Sequence, residues 1–189
     1  QWNIQRTSYR LKGKVLGVLG FGRIARALVK KCSGFGFAKV LVYDPYVSAD
    51  ACAALGATKV DLHTVLQETD ILSLHMPVTP ETTGMLNKKT LSLMKPTAIV
   101  VNTGRGPLID DTAMIEALTN HQILCAGLDT HNQEPLSPDS PYLKLDNVIL
   151  TDHTAYSTME AVEELKTKSA QNVINALTGL SPIYPVNKL

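Results

Sequence analysis

The sequence predicts an α/β fold, a doubly wound parallel sheet with helices on both faces. Short runs that are apolar throughout alternate with longer amphipathic segments, the pattern of strands buried on both faces and joined by crossover helices. A glycine-rich turn stands directly after the first apolar run. No solenoid-length repeat or low-complexity tract points to another architecture.

The predicted strands are Lys14 to Leu19, Lys39 to Tyr43, Asp70 to Leu74, Ala98 to Val101, Leu124 to Leu128 and Val148 to Leu150. Helical patterns fall between and after them, at Ile24 to Lys31, Ala49 to Leu55, Leu62 to Glu68, Lys88 to Met94, Asp111 to Asn120 and Met159 to Leu177. Three prolines make Gln133 to Tyr142 read as one surface loop.

Composition narrows the function. The chain has 189 residues, 44% hydrophobic and 19% charged, enough to bury the core of one globular domain. Its 18 basic and 17 acidic residues show no cluster of one sign, which argues against nucleic acid or a membrane surface as partner. The apolar runs are far shorter than a membrane span and no charged-then-apolar leader begins the sequence, so a cytoplasmic location is expected. Cys32, Cys52 and Cys125 lack metal-ligand spacing and read as small buried hydrophobes, so no metal is expected.

The stretch Gly20-Phe21-Gly22-Arg23-Ile24-Ala25 joins a predicted strand to a predicted helix, the context a dinucleotide turn requires. The first glycine permits the tight turn and the second lets backbone approach a pyrophosphate. The third position must stay small for helix and strand to pack, which Ala25 satisfies. Amides at the start of the helix, aided by its dipole, then hold negative charge without a lysine. Asp44 ends the next strand about twenty residues on, where a carboxylate accepts from ribose hydroxyls and repels a 2'-phosphate. With Pro45 and Tyr46 following and no arginine at hand, NAD is expected over NADP, in a Rossmann-like domain.

Five further segments carry a resemblance. They are Leu72-Ser-Leu-His-Met-Pro77 with Thr79 and Thr82, Met94-Lys-Pro96, Val101-Asn-Thr-Gly-Arg-Gly106, Gly127-Leu-Asp-Thr-His-Asn-Gln-Glu-Pro135 and Leu150-Thr-Asp-His-Thr154. In order and spacing, from about Leu11 to Asn187, the chain resembles the D-isomer-specific 2-hydroxyacid dehydrogenase family. Interconverting a 2-hydroxy acid and a 2-oxo acid requires a cation on the substrate carboxylate and carbonyl, and a group that shuttles one proton. Arg105 suits the first task, because a planar guanidinium fork matches a carboxylate. His153 suits the second, since imidazole titrates near neutrality, with Glu134 as the carboxylate that fixes its tautomer. The resemblance implies this catalytic set. It departs at Asp152, where the family usually has proline before the histidine.

By the same resemblance Arg23 and Ile24 present amides to the pyrophosphate and Met76 lies beside the adenosine ribose. Thr103, Gly104 and Asp129 surround the nicotinamide, with Asp129 accepting from its carboxamide. His63, His75, His121 and His131 receive no role. Residues 1–189 are then the NAD-binding domain of a two-domain enzyme whose N-terminal substrate domain is largely absent. Gln1 to Tyr9, with Trp2, would end an entering helix, and residues 178–189 would return toward that lobe. The isolated domain would turn over weakly or not at all. A homodimer is implied, with a small 2-hydroxy or 2-oxo acid as substrate. The alternative is an NAD(H)-sensing scaffold resembling the C-terminal-binding corepressors, suggested by Phe35-Gly-Phe37 and Tyr43-Asp-Pro-Tyr46. Against it, Ala155-Tyr156 stands where those proteins usually place tryptophan.

Overall fold

The computed structural model describes residues 9–185, so the predicted entering helix, Tyr9 excepted, lies outside the described residues. The chain divides into two compact units, one ending at His153 and the other beginning at Thr154.

The first unit is built on seven parallel strands: β1 (Val15–Leu19), β2 (Lys39–Tyr43), β3 (Thr58–Lys59), β4 (Ile71–Leu74), β5 (Ile99–Asn102), β6 (Cys125–Leu128) and β7 (Val148–Leu150). Their order is β3-β2-β1-β4-β5-β6-β7. Strand order reverses between β1 and β4, and at such a reversal the loops leaving the carboxyl ends part to form a ligand crevice. The helices of this unit are α1 (Arg23–Cys32), α2 (Ala49–Ala53), α3 (Leu62–Glu68), α4 (Lys88–Leu91) and α5 (Asp111–Thr119).

Side chains alternate across the sheet, and each face feeds its own core. Leu72 and Leu74 join Leu19, Val100 and Leu128 in the larger cluster. Leu16 and Val18 point the other way, to meet Ala25 and Val29 of α1. Both faces of the central strands are thus apolar, which is why they read as continuous runs.

Each helix after α1 begins with a side chain that accepts from its first turn: Ser48, Asp61, Asn87, Asp110 and Thr158. By contrast, α1 begins at Gly22, which has no side chain to offer. Its leading amides are left for another acceptor.

Several features depart from the sequence reading: Cys32 and Cys125 are half-buried, with only Cys52 buried, and the helix expected to run to Met94 ends at Leu91. Strand β3 has only two residues, too few to show any periodicity. The proline-rich loop does not stay on the surface to its end, because Tyr142 sits in a 3-10 turn at 2% exposure and donates its hydroxyl to Asp111 Oδ1 at 2.9 Å.

The second unit carries α6 (Met159–Leu177), capped by Thr158 and with no fully buried residue. Among the described residues no helix is long and apolar enough to cross a membrane, and no cluster of histidine, cysteine or carboxylates could hold a metal.

Candidate active site

The turn after β1 is shaped by Gly20. Its φ is 86°, its amide donates to Tyr43 O at 2.8 Å, and a Cβ there would come within 2.9 Å of the backbone of His75 and Met76. Only glycine lets the ends of β1 and β4 approach so closely. Two residues on, a Cβ on Gly22 would meet nothing within 4 Å, so open space lies over the uncapped start of α1. Arg23 and Ile24 are exposed there, while Ala25 is sealed between helix and sheet.

Asp44 faces this turn from the end of β2. Its Oδ2 accepts from Phe21 N at 2.7 Å and its Oδ1 from Tyr46 N at 2.8 Å. Two amides therefore orient the carboxylate, and each oxygen keeps a second lone pair for a ligand. Gly20, Gly22, Asp44, Tyr46, Met76 and Thr82 help to line one cavity of about 230 Å³. Met76 both lines the cavity and belongs to the core, at 7% exposure. An uncapped helix start beneath open space at Gly22 and an oriented carboxylate at Asp44 are the chemistry that the pyrophosphate and ribose of a dinucleotide require.

Arg105 stands in the loop after β5, exposed, its Nη1 donating to Gly104 O at 2.7 Å. The loop is held from below by Asn102, which is fully buried. Asn102 Nδ2 donates to Arg105 O at 2.9 Å and its Oδ1 accepts from Gly104 N at 3.0 Å. Thr103, between them, is exposed. Gly106 seats this loop directly on the next, for any Cβ on it would overlap the backbone of His131 and Asn132.

That next loop, after β6, carries Glu134, and the loop after β7 carries His153. Glu134 Oε2 lies 2.9 Å from His153 Nδ1, and Oε1 accepts from His131 N at 3.0 Å. Both contacts favour the charged carboxylate, the histidine first, and hold it below its ordinary pKa. His153 adopts φ 60°, a left-handed conformation uncommon outside glycine, and its amide donates to Asp129 O at 2.8 Å. Asp129 is 5% exposed and its Oδ1 accepts from Thr151 Oγ1 at 2.6 Å. Asp152 is exposed and, with Glu134 and His153, lines a second cavity of about 600 Å³.

The predicted site residues thus gather beyond the carboxyl ends of six strands. Gly20 to Ile24 follow β1, Asp44 follows β2, Met76 β4, Thr103 to Arg105 β5, and Asp129 and Glu134 β6, with His153 beyond β7. Sequence reasoning missed Asn102 and His131. His131 ties the loop down through its ring, with Nε2 2.9 Å from Thr151 O, as well as through its amide. A buried asparagine ending a strand before Thr-Gly-Arg-Gly was the one available signal for the former, since its amide must find partners.

Fold and site together define a nicotinamide-dinucleotide domain of a dehydrogenase. Residues 1–155 match the family model described as D-isomer specific 2-hydroxyacid dehydrogenase, NAD binding domain, and the chain belongs to that family. Its cofactor is accordingly NAD. It is 44% identical over 180 residues to a glyoxylate reductase of Thermococcus litoralis, covering 95% of this chain and 54% of that one. It is 40% identical over 177 residues to a D-3-phosphoglycerate dehydrogenase of Archaeoglobus fulgidus, covering 94% and 33%. Among solved structures, D-lactate dehydrogenase with NAD+ from Lactobacillus jensenii superposes with a TM-score of 0.86 at 34% identity, covering 96% and 58%. The chain therefore spans about half the length, or less, of these relatives.

Proposed function

We propose that the protein is an NAD-dependent oxidoreductase acting on a D-2-hydroxy acid and its 2-oxo acid, with Arg105 holding the carboxylate and Glu134 and His153 handling the proton. The observation that carries this reading is the 2.9 Å Glu134–His153 pair, one strand over from the Arg105 loop. NAD supplies the hydride acceptor in oxidation and the donor in reduction. Arg105 binds the carboxylate and polarises the substrate oxygen. As the C2 hydride leaves the hydroxy acid, His153 takes the hydroxyl proton on Nε2, the ring nitrogen that Glu134 does not occupy; in reduction it returns that proton. Glu134 fixes the tautomer and stabilises the imidazolium that forms.

For the cofactor, Gly20 and Gly22 open the space, amides of Arg23 and Ile24 meet the pyrophosphate, and Asp44 and Met76 meet the adenosine ribose. Thr103, Gly104 and Asp129 flank the nicotinamide. The relatives named for glyoxylate, 3-phosphoglycerate and lactate chemistry support a small 2-oxo acid as substrate. We place the whole protein in the cytoplasm as a homodimer, for which light scattering is the measurement and a strict monomer the contrary result.

The test is a panel of 2-oxo acids offered with NADH to the full-length protein, following absorbance of the reduced cofactor. Reduction of one or more is expected. Tight NADH binding without turnover of any would instead mark a sensing scaffold and overturn the reading.

A further inference from the structure

A histidine that the proposed chemistry leaves unused stands at the strand-order reversal. His75 is the first residue past β4, its amide donating to Leu19 O at 2.7 Å, and it lines the same cavity as Gly20, Gly22 and Asp44. It shares a sheet face with Ser73, two residues back. Ser73 Oγ is 2.9 Å from His75 Nε2, and Ser73 is only 6% exposed.

The direction of that bond follows from counting donors. Among the described residues Ser73 Oγ has no other hydrogen bond, so its proton is satisfied only if the hydroxyl donates to Nε2. Nε2 is then the acceptor, and the ring proton sits on Nδ1. That nitrogen has no partner among the described residues, yet it is not among the buried unsatisfied atoms, so it reaches the accessible surface. Burial pushes the imidazole below its usual pKa, which keeps it neutral at pH 7. The result is a locked imidazole with one N–H to spare, among the residues that line the same cavity as the Asp44 carboxylate.

We infer that His75 is a cofactor-binding residue, its Nδ1–H donating to an oxygen of the ribose–phosphate stretch in the adenosine half of NAD, with Ser73 as the positioning residue that sets the ring. This rests on NAD occupying the cavity between Gly20 and Asp44. A neutral donor suits a stretch that must be released each cycle, because it adds orientation without another charge.

The experiment titrates the full-length protein and its variants with NADH and with ADP-ribose, which lacks the nicotinamide. His75→Phe keeps the ring volume and removes both nitrogens; it is expected to weaken both ligands about five- to tenfold. Asparagine places its amide nitrogen near the Nδ1 position, whereas glutamine places its own near Nε2. His75→Asn is therefore expected to recover most of the affinity, and His75→Gln is not. Ser73→Ala, which frees the ring to turn, is expected to weaken both ligands about two- to threefold. Binding by His75→Phe within twofold of wild type overturns the proposal. So does recovery by His75→Gln but not His75→Asn, the pattern of a purely structural bond to Ser73. Wild-type protein that binds neither ligand overturns the placement of NAD in the cavity, and the proposal with it.

Discussion

Glu134 Oε2 stands 2.9 Å from His153 Nδ1 although 19 residues separate the two in sequence, and neither side chain is buried. An exposed pair of this kind contributes little to stability by itself. Its value is directional, because it fixes the imidazole through Nδ1.

His153→Ala in the full-length protein is expected to lower kcat by about 10²- to 10⁴-fold, with NADH binding within about twofold. Near-normal turnover would remove His153 from the mechanism. Glu134→Gln keeps the shape and loses the charge. Since the folded pKa of Glu134 lies below its ordinary value, its contribution is present above the usual glutamate range and lost as pH falls through the depressed value. Any gap in melting temperature between wild type and Glu134→Gln should therefore narrow as pH falls below the usual glutamate range. A gap that widens in acid would contradict that sign.

Asp44→Ala removes the acceptor at the end of β2 and releases the amides of Phe21 and Tyr46. NADH affinity should fall about tenfold, while NADPH affinity holds or improves, because the 2'-phosphate no longer meets a carboxylate. Parallel titrations with the two cofactors decide this. An unchanged preference would count against Asp44 as the ribose contact.

Asn102→Ala empties a fully buried site and leaves Gly104 N and Arg105 O without the partner that joins them. A loss of about 1–3 kcal/mol is expected in denaturant unfolding. In addition KM for the acid should rise more than KM for NADH, since it is the Arg105 loop that loosens. Equal rises would place the damage elsewhere.

Gly106→Ala forces the Arg105 loop off the loop that bears Glu134, because the added methyl has only backbone to meet. Turnover should fall at least tenfold with the sheet still folded, read as activity against far-UV circular dichroism. Full activity would show that the two loops can separate without harm.

How much of this was legible in the sequence depends on how local the cause is. β1, β2 and β4 to β7 announced themselves as apolar runs, the central strands because both their faces are buried, and their bounds shift by a residue at most. β3 could not, being two residues held by pairing with Leu41 and Val42. Gly20 was legible because a left-handed turn excludes nearly everything else. Arg105, Glu134 and His153 were recognised by residue type and order. Asn102 and His131 were not, since what each does depends on neighbouring strand ends. Asn102 aligns with Leu74 on one side and Leu128 on the other, and only that register puts it beneath the Arg105 loop. The left-handed backbone at His153 is equally non-local, because the Asp129 carbonyl that anchors its amide lies just past the end of β6.

The outermost strand has a thermal consequence. β7 is three residues long, is paired only to β6 among the described residues, and leaves Ile149 73% exposed. Detaching it would cost far less than melting the central strands, yet it would carry His153 away from Glu134. Warming should accordingly silence the enzyme while most of its helix and sheet signal persists, so that inactivation precedes unfolding as two separable transitions.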